Sequence, residues 1–87
     1  MICRKITYEG EINLNVAKEI FDVVRKIEIK GEVFKNQDNS VTLLLEGDPS
    51  MIKLAQHQIE RKAKNSISNK VIESIPFGHY SSLVFKQ

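Results

Sequence analysis

The order in which the hydrophobic period changes along this chain restricts its fold more than any other feature. In residues 2–12 alternate positions are mostly apolar, which predicts a half-buried strand with a bulge or turn at Gly10. The next apolar residues recur every three or four positions, which predicts an amphipathic helix from Asn15 to Lys26. Either Asn13 or Asn15 can supply the side-chain oxygen that caps this helix.

The second half of the chain repeats this change of period. Residues 29–37 and 40–46 are predicted to form a β-hairpin, because Asp38 and Asn39 tolerate the positive φ of a tight turn. The sequence Gly-Asp-Pro-Ser at 47–50 is typical of a helix start, and the helix is predicted to continue to about residue 65.

The C-terminal part is predicted to hold two short strands. The polar residues 65–70 are interpreted as a loop, residues 71–75 as a strand, and residues 83–85 as a last short strand. The resulting order, β-α-β-β-α-β with a short fifth strand, predicts an α+β fold of the ferredoxin-like type. Two helices would cover one face of an antiparallel sheet, in a single domain over residues 1–87.

The composition restricts the cross-links, the metal sites and the cellular compartment that are expected for this domain. Cys3 is the only cysteine, so an intrachain disulfide and a four-cysteine zinc site are excluded, and a free thiol fits a reducing compartment. The first ten residues resemble no signal peptide, and no apolar stretch is long enough to span a membrane. We therefore expect a cytoplasmic protein without membrane contact.

Metal and nucleic-acid sites are weakly supported. His57 and His79 are the only histidines, and neither has cysteine or carboxylate companions at ligand spacing, so no metal is predicted. The net charge of +2 is too small to predict nucleic-acid binding. An RNA-recognition module would need aromatic residues on the outward face of its two central strands. The corresponding positions here are Lys5, Thr7, Thr42 and Leu44.

Two surface features remain open to a functional interpretation. A basic stripe on the second helix would suit an acidic partner or RNA, although an ordinary solvated helix face has the same pattern. Its members are Lys53, His57, Arg61 and Lys64. Leu44 and Phe34 predict an apolar patch on the open sheet face, which would favour self-association or a protein partner unless the C-terminal strand covers it.

Beyond the element order, short motifs over nearly the whole chain resemble the acylphosphatase family. The hairpin positions that match the family pattern are Gly31, Val33, Asp38, Asn39 and Val41, and Glu46-Gly47 follows at the matching distance. Residues 24–31 are similar to the family's first helix end and approach to the second strand. Residues 68–76 and 80–87 are similar to its fourth and closing strands.

This resemblance implies a specific chemistry. Members of the family hydrolyse carboxyl–phosphate anhydrides without a metal or cofactor. The loop between the first strand and first helix wraps a phosphate with backbone N–H groups, aided by an arginine, and an asparagine on the second strand orients the attacking water. Glycine is frequent in that loop because side chains would obstruct amides that converge on an anion.

The sequence departs from the family at these positions. Lys18 or Ala17 stands at the arginine position, depending on the direction of counting, and Leu14 replaces a loop glycine. Lys35 stands at the asparagine position. Asn36 is adjacent to it, but a shift of one residue turns a side chain to the other face of a sheet. Lysine is a point charge and does not reproduce the planar fork of arginine.

The expected function is therefore a binding or structural module that lacks ordinary catalysis. The alternative is an active acylphosphatase with a non-standard site. The catalytic candidates are Lys18, Lys35 and Asn36, and the anion-binding candidates are Asn13, Asn15 and Lys18. The partners expected are a small phosphate-bearing molecule or a protein, and the chain is expected to be a monomer or a weak homodimer.

Overall fold

A computed structural model describes residues 1–87 and contains five strands and two helices. In chain order these are β1 (Ile2–Gly10), α1 (Leu14–Lys26), β2 (Lys30–Lys35), β3 (Val41–Gly47), α2 (Pro49–Lys62), β4 (Ile67–Ile75) and β5 (Leu83–Lys86). The predicted α+β order of elements is confirmed. Neither helix has the length and apolarity that crossing a bilayer requires.

The strands form one sheet in the order β4-β1-β3-β2-β5. The first four pair antiparallel as expected, but β5 runs parallel to β2, so the sheet is mixed rather than antiparallel throughout. The chain reaches β5 through residues 76–82, which cross from the β4 edge to the β2 edge and bring β5 alongside β2 in the parallel direction.

A core of apolar side chains joins the two helices to one face of the sheet. The sheet contributes fully buried residues at alternate positions, among them Ile6, Val33 and Leu43. The helices contribute their buried stripes, with Ile20 on α1 and Ile59 on α2. The two periods predicted from the sequence therefore meet in one core, as a two-layer architecture requires.

The start of each helix follows from its capping residue. Asn13, rather than Asn15, is the N-cap of α1, and its Oδ1 accepts from the backbone N–H of Val16 at 2.9 Å. Asp48 caps α2 by accepting from the N–H of Ser50, and Pro49 occupies the first turn. These contacts use donors that the helix itself leaves without partners.

Strand β4 is the largest departure from the sequence prediction. Residues 65–70 were expected to be a loop, whereas β4 begins at Ile67 and pairs with β1 over most of its length. Helix α2 ends at Lys62, three residues before its expected end at residue 65. The polar residues are compatible with a strand because β4 lies at the edge of the sheet, and most of its side chains are exposed.

Candidate functional site

The connection between β1 and α1 consists of residues 11–13 and occupies the place of the family's phosphate loop. Two of its three backbone N–H groups, those of Glu11 and Ile12, are engaged by the protein. The N–H of Glu11 donates to the carbonyl of Ser66 at 2.9 Å, and that of Ile12 donates to the carbonyl of Asn39 at 3.0 Å. The Ile12 side chain is fully buried in the core. The connection is thus tied to the hairpin turn on one side and to the start of β4 on the other.

The predicted anion-binding residues lie at or just after this connection. Asn13 uses its side-chain oxygen to cap α1, so that oxygen faces its own helix. Asn15 and Lys18 lie in the first part of α1, and both are exposed. The N–H of Ala17 donates to the carbonyl of Asn13 as the first regular helical hydrogen bond. The first-turn amides of Leu14 and Asn15 are left at the helix N-terminus.

Lys35 ends β2 and is partly buried. It has the strand parity of the buried Val33, which pairs with Leu43 of β3. The Lys35 Nζ donates to the carbonyl oxygen of Asn36 at 2.6 Å. The hydrogen bonds from Ser40, and to a smaller extent the charge of Lys35, hold the pKa of the Asp38 carboxyl below its usual value.

Asn36 is held within the hairpin and does not join Lys35. Its Nδ2 donates to the Oγ of Ser40 at 3.0 Å and to the Oγ1 of Thr42 at 2.9 Å. Thr42 pairs with Phe34, and neither lies on the strand positions that point into the core. The asparagine beside Lys35 therefore has its amide committed to the open face of the sheet.

Sequence reasoning missed a second polar cluster, at the other end of β3. The Glu46 side chain is buried and accepts hydrogen bonds from three consecutive backbone amides, those of Gly78 (2.6 Å), His79 (3.0 Å) and Tyr80 (2.8 Å). His79 has a φ of 56°, a left-handed conformation that helps successive amides to converge on one anion. A charged residue at a strand position between apolar neighbours was the available sequence signal.

The same cluster is extended on both sides. The Tyr80 hydroxyl donates to Oε2 of Glu32 at 3.0 Å, and Glu32 also forms an ion pair with Lys86 at 2.7 Å. Burial and the neighbouring Glu32 carboxylate raise the pKa of Tyr80 to about 12. Cys3 lies opposite Glu46 on β1, and burial, followed by the Glu46 charge, raises the pKa of its thiol. Cys3 is thus a buried strand residue.

A third polar cluster joins β1 to α2. The Tyr8 hydroxyl donates to Oε2 of Glu60 at 3.0 Å, while Lys70 of β4 donates to Oε1 at 2.8 Å. Burial and Glu60 together raise the pKa of Tyr8. Burial raises the pKa of Glu60, but the hydrogen bonds from Lys70 and Tyr8 outweigh it, so the net shift is downward. These contacts satisfy the one polar group of the largest core side chain.

The remaining candidates are dispersed. His57 is exposed on α2, and His79 lies in the connection before β5 with its ring against Phe77. No group of three histidine, cysteine or carboxylate side chains is arranged so that it could hold a metal ion. On the open sheet face, the patch around Phe34 and Leu44 is partly covered, and the Lys86 ammonium lies 5.5 Å from the centre of the Phe34 ring.

Known structures share this fold. An acylphosphatase from Bacillus subtilis superposes with a TM-score of 0.84 at 13% sequence identity, covering 98% of each chain. An acylphosphatase from Coxiella burnetii gives a TM-score of 0.84 at 17% identity, covering 97% of this chain and 90% of its own. The T. kodakarensis HypF protein gives a TM-score of 0.79 at 17% identity over all of this chain and 12% of HypF.

These similarities establish the fold and not the activity. No family model matches the sequence, and no curated protein sequence matches it. The acylphosphatase-like, ferredoxin-type arrangement expected from the motifs is confirmed over nearly the full chain. Function has to be argued from the residues at the site, because one fold supports many functions.

Proposed function

We propose that this chain is an acylphosphatase-fold module with a binding or structural role and without ordinary acylphosphatase catalysis. The observation that supports it most is the state of the β1–α1 connection, where Glu11 and Ile12 donate their amides to Ser66 and Asn39. An anion site of the family type needs several free amides aimed at one point. Donors that already serve the fold contribute nothing to transition-state stabilisation.

The side chains support the same proposal. The Lys35 ammonium has no lone pair with which to orient a water, and it already donates to the Asn36 carbonyl. Lys18 is exposed and lacks the bidentate geometry of an arginine. The proposal includes a pseudoenzyme in the cytoplasm, where the single thiol of Cys3 would stay reduced, with a protein or a phosphate-bearing molecule as partner.

The alternative is hydrolysis of carboxyl–phosphate anhydrides by a non-standard site. Such a site would be built from the first-turn amides of Leu14 and Asn15, with Lys18 supplying charge. It would lack the amides of Glu11 and Ile12 and a side chain able to orient water from the Lys35 position. Turnover of an acyl phosphate separates this alternative from the proposal.

We expect the unmodified protein to leave benzoyl phosphate hydrolysis, followed by ultraviolet absorbance, at the uncatalysed rate. The Lys18→Arg/Lys35→Asn variant is expected to remain within about tenfold of that rate, because the amides that would stabilise the transition state are still engaged. A Lys53→Arg/Lys64→Asn variant makes the same two exchanges elsewhere and serves as the matched control. Saturable turnover by the unmodified protein, inhibited by inorganic phosphate, would instead establish the enzyme.

A further inference from the structure

The outer surface of α2 and the turn after it is positively charged. The exposed cations there are Lys53, Arg61, Lys62 and Lys64, and none of them belongs to a salt bridge. The only carboxylate within α2 is Glu60, which Tyr8 and Lys70 already engage. The positive charge of this helix is therefore concentrated on its outer side, although the net charge of the chain is only +2.

Part of this charge lines a groove between the two helices. One cavity of ≈ 320 Å³ is lined by Val23 and Lys26 of α1 and by Gln58, Arg61 and Lys62 of α2. A second cavity of ≈ 340 Å³ shares Arg61 and Lys62. The other residues that line it are Val16, Glu19, Ala63, Lys64, Asn65 and Ser66. The two cavities are adjacent at these shared residues and are here together called the interhelical groove.

The chemistry of the interhelical groove is distinctive. Lys26, Arg61, Lys62 and Lys64 line it, against the single carboxylate of Glu19. Helix dipoles favour cations in the last turn of each helix. That effect accounts for Lys26, Arg61 and Lys62 individually, but it does not require the cations of both helices to line one surface depression.

We propose that the interhelical groove docks an acidic, aliphatic-containing peptide segment of a partner protein. Arg61 and the lysines complement carboxylates, and Arg61 offers a planar fork for a bidentate contact. The partly exposed Val16 provides aliphatic surface for an apolar side chain between the acidic ones, whereas Val23 lies in the core beneath the groove. A single-stranded nucleic acid fits less well, because no aromatic side chain lines the groove as a platform for base stacking.

This docking site adjoins the β1–α1 connection at Ser66, but its cations are not part of that connection, so it does not depend on whether the connection binds phosphate. The residues Lys26, Arg61 and Lys62 were not among the catalytic or anion-binding candidates. Turnover of benzoyl phosphate tests the proposed function, whereas peptide affinity tests the interhelical groove, so failure of one is distinguishable from failure of the other.

The test is fluorescence anisotropy with a labelled twelve-residue peptide probe that repeats Glu-Glu-Leu. A peptide of this length spans roughly 40 Å when it is fully extended. The unmodified protein is expected to bind it saturably, and Arg61→Glu/Lys62→Glu is expected to weaken binding by about tenfold, the loss expected for two exposed charge pairs. The matched control is Lys5→Glu/Lys30→Glu, which changes the net charge equally but on the sheet face turned away from the helices. At about 0.15 M salt it should leave the affinity nearly unchanged, because distant charges are screened.

Three results would overturn this proposal. One is the absence of saturable binding to the unmodified protein. Another is equal weakening by the groove variant and its control, which would indicate a general charge effect. The third is tighter binding of an oligothymidylate of the same charge than of the peptide, which would assign the groove to nucleic acid. A probe in which glutamine replaces glutamate should bind weakly if the carboxylates carry the recognition.

Discussion

Gly31→Ala is expected to lower the free energy of unfolding by about 3 kcal/mol. Gly31 of β2 has a φ of 141°, a backbone conformation that side chains rarely adopt. A Cβ at this position would lie 1.7 Å from the carbonyl oxygen of Leu44 on β3, so β2 and β3 would have to separate. Chemical denaturation monitored by circular dichroism measures the loss.

Gly47→Ala is the matched control for that variant. Gly47 ends β3, and a Cβ there would meet no atom within 4 Å. Its substitution should change the free energy of unfolding by no more than about 0.5 kcal/mol. Equal destabilisation by both substitutions would show that the conformation and close approach at Gly31 are not what the fold requires. The glycine that matches the family's hairpin motif is thus explained by packing, without any catalytic role.

Glu46→Gln is expected to destabilise the connection of residues 76–82 and to expose Cys3. The carboxylate accepts hydrogen bonds from three successive backbone N–H groups. A glutamine side chain has an NH2 group in place of one carboxylate oxygen, so at least one of these N–H groups would face another donor and lose its acceptor. Loss of charge-assisted hydrogen bonds to a buried group costs about 2–3 kcal/mol. Much of that loss should appear as local opening, because the connection has few other backbone contacts to the sheet.

The thiol of Cys3 reports this opening once its rate is corrected for the thiolate fraction, which the pH dependence of the rate gives, because the Glu46 charge also raises the pKa of the thiol. It is buried next to Glu46, so its reaction with a disulfide reagent under native conditions requires the connection to move. If the substitution lowers the free energy of opening by about 2 kcal/mol, the Cys3 thiol should react about thirtyfold faster with the reagent. Glu73→Gln, which removes an exposed carboxylate on β4, should leave the rate unchanged. An unchanged rate in the Glu46 variant would mean that the carboxylate does not hold the connection closed.

The elements that could be predicted from the sequence are those in which burial on one side imposes a period. β1, α1 and β3 each place alternate or helically spaced residues in the core, and their positions were predicted to within one or two residues. The N-terminal half of β4 has no such period, since an edge strand with mostly exposed side chains obtains its order from hydrogen bonds to β1. Pairing with a distant strand leaves no local pattern to read.

The candidate site shows the same division. The substitutions at Lys18 and Lys35 were visible in the sequence because each concerns one side chain against a motif. The sequence did not show that the Glu11 and Ile12 amides are engaged, because their acceptors, Ser66 and Asn39, lie far along the chain. Backbone hydrogen bonds carry no side-chain signature. Of the cations that line the groove, Arg61 and Lys64 were noted in the basic stripe of α2, but the contribution of Lys26 was missed because it comes from the other helix.

The most direct measurement is a titration of ¹⁵N-labelled protein with inorganic phosphate, followed by amide chemical shifts. If the protein's own carbonyls occupy the N–H groups of Glu11 and Ile12, the amide resonances of these two residues stay in place up to millimolar phosphate. Saturable shifts of the Glu11 and Ile12 amide resonances would contradict the account, because they would mean that the connection opens to form the phosphate cradle on which acylphosphatase chemistry depends.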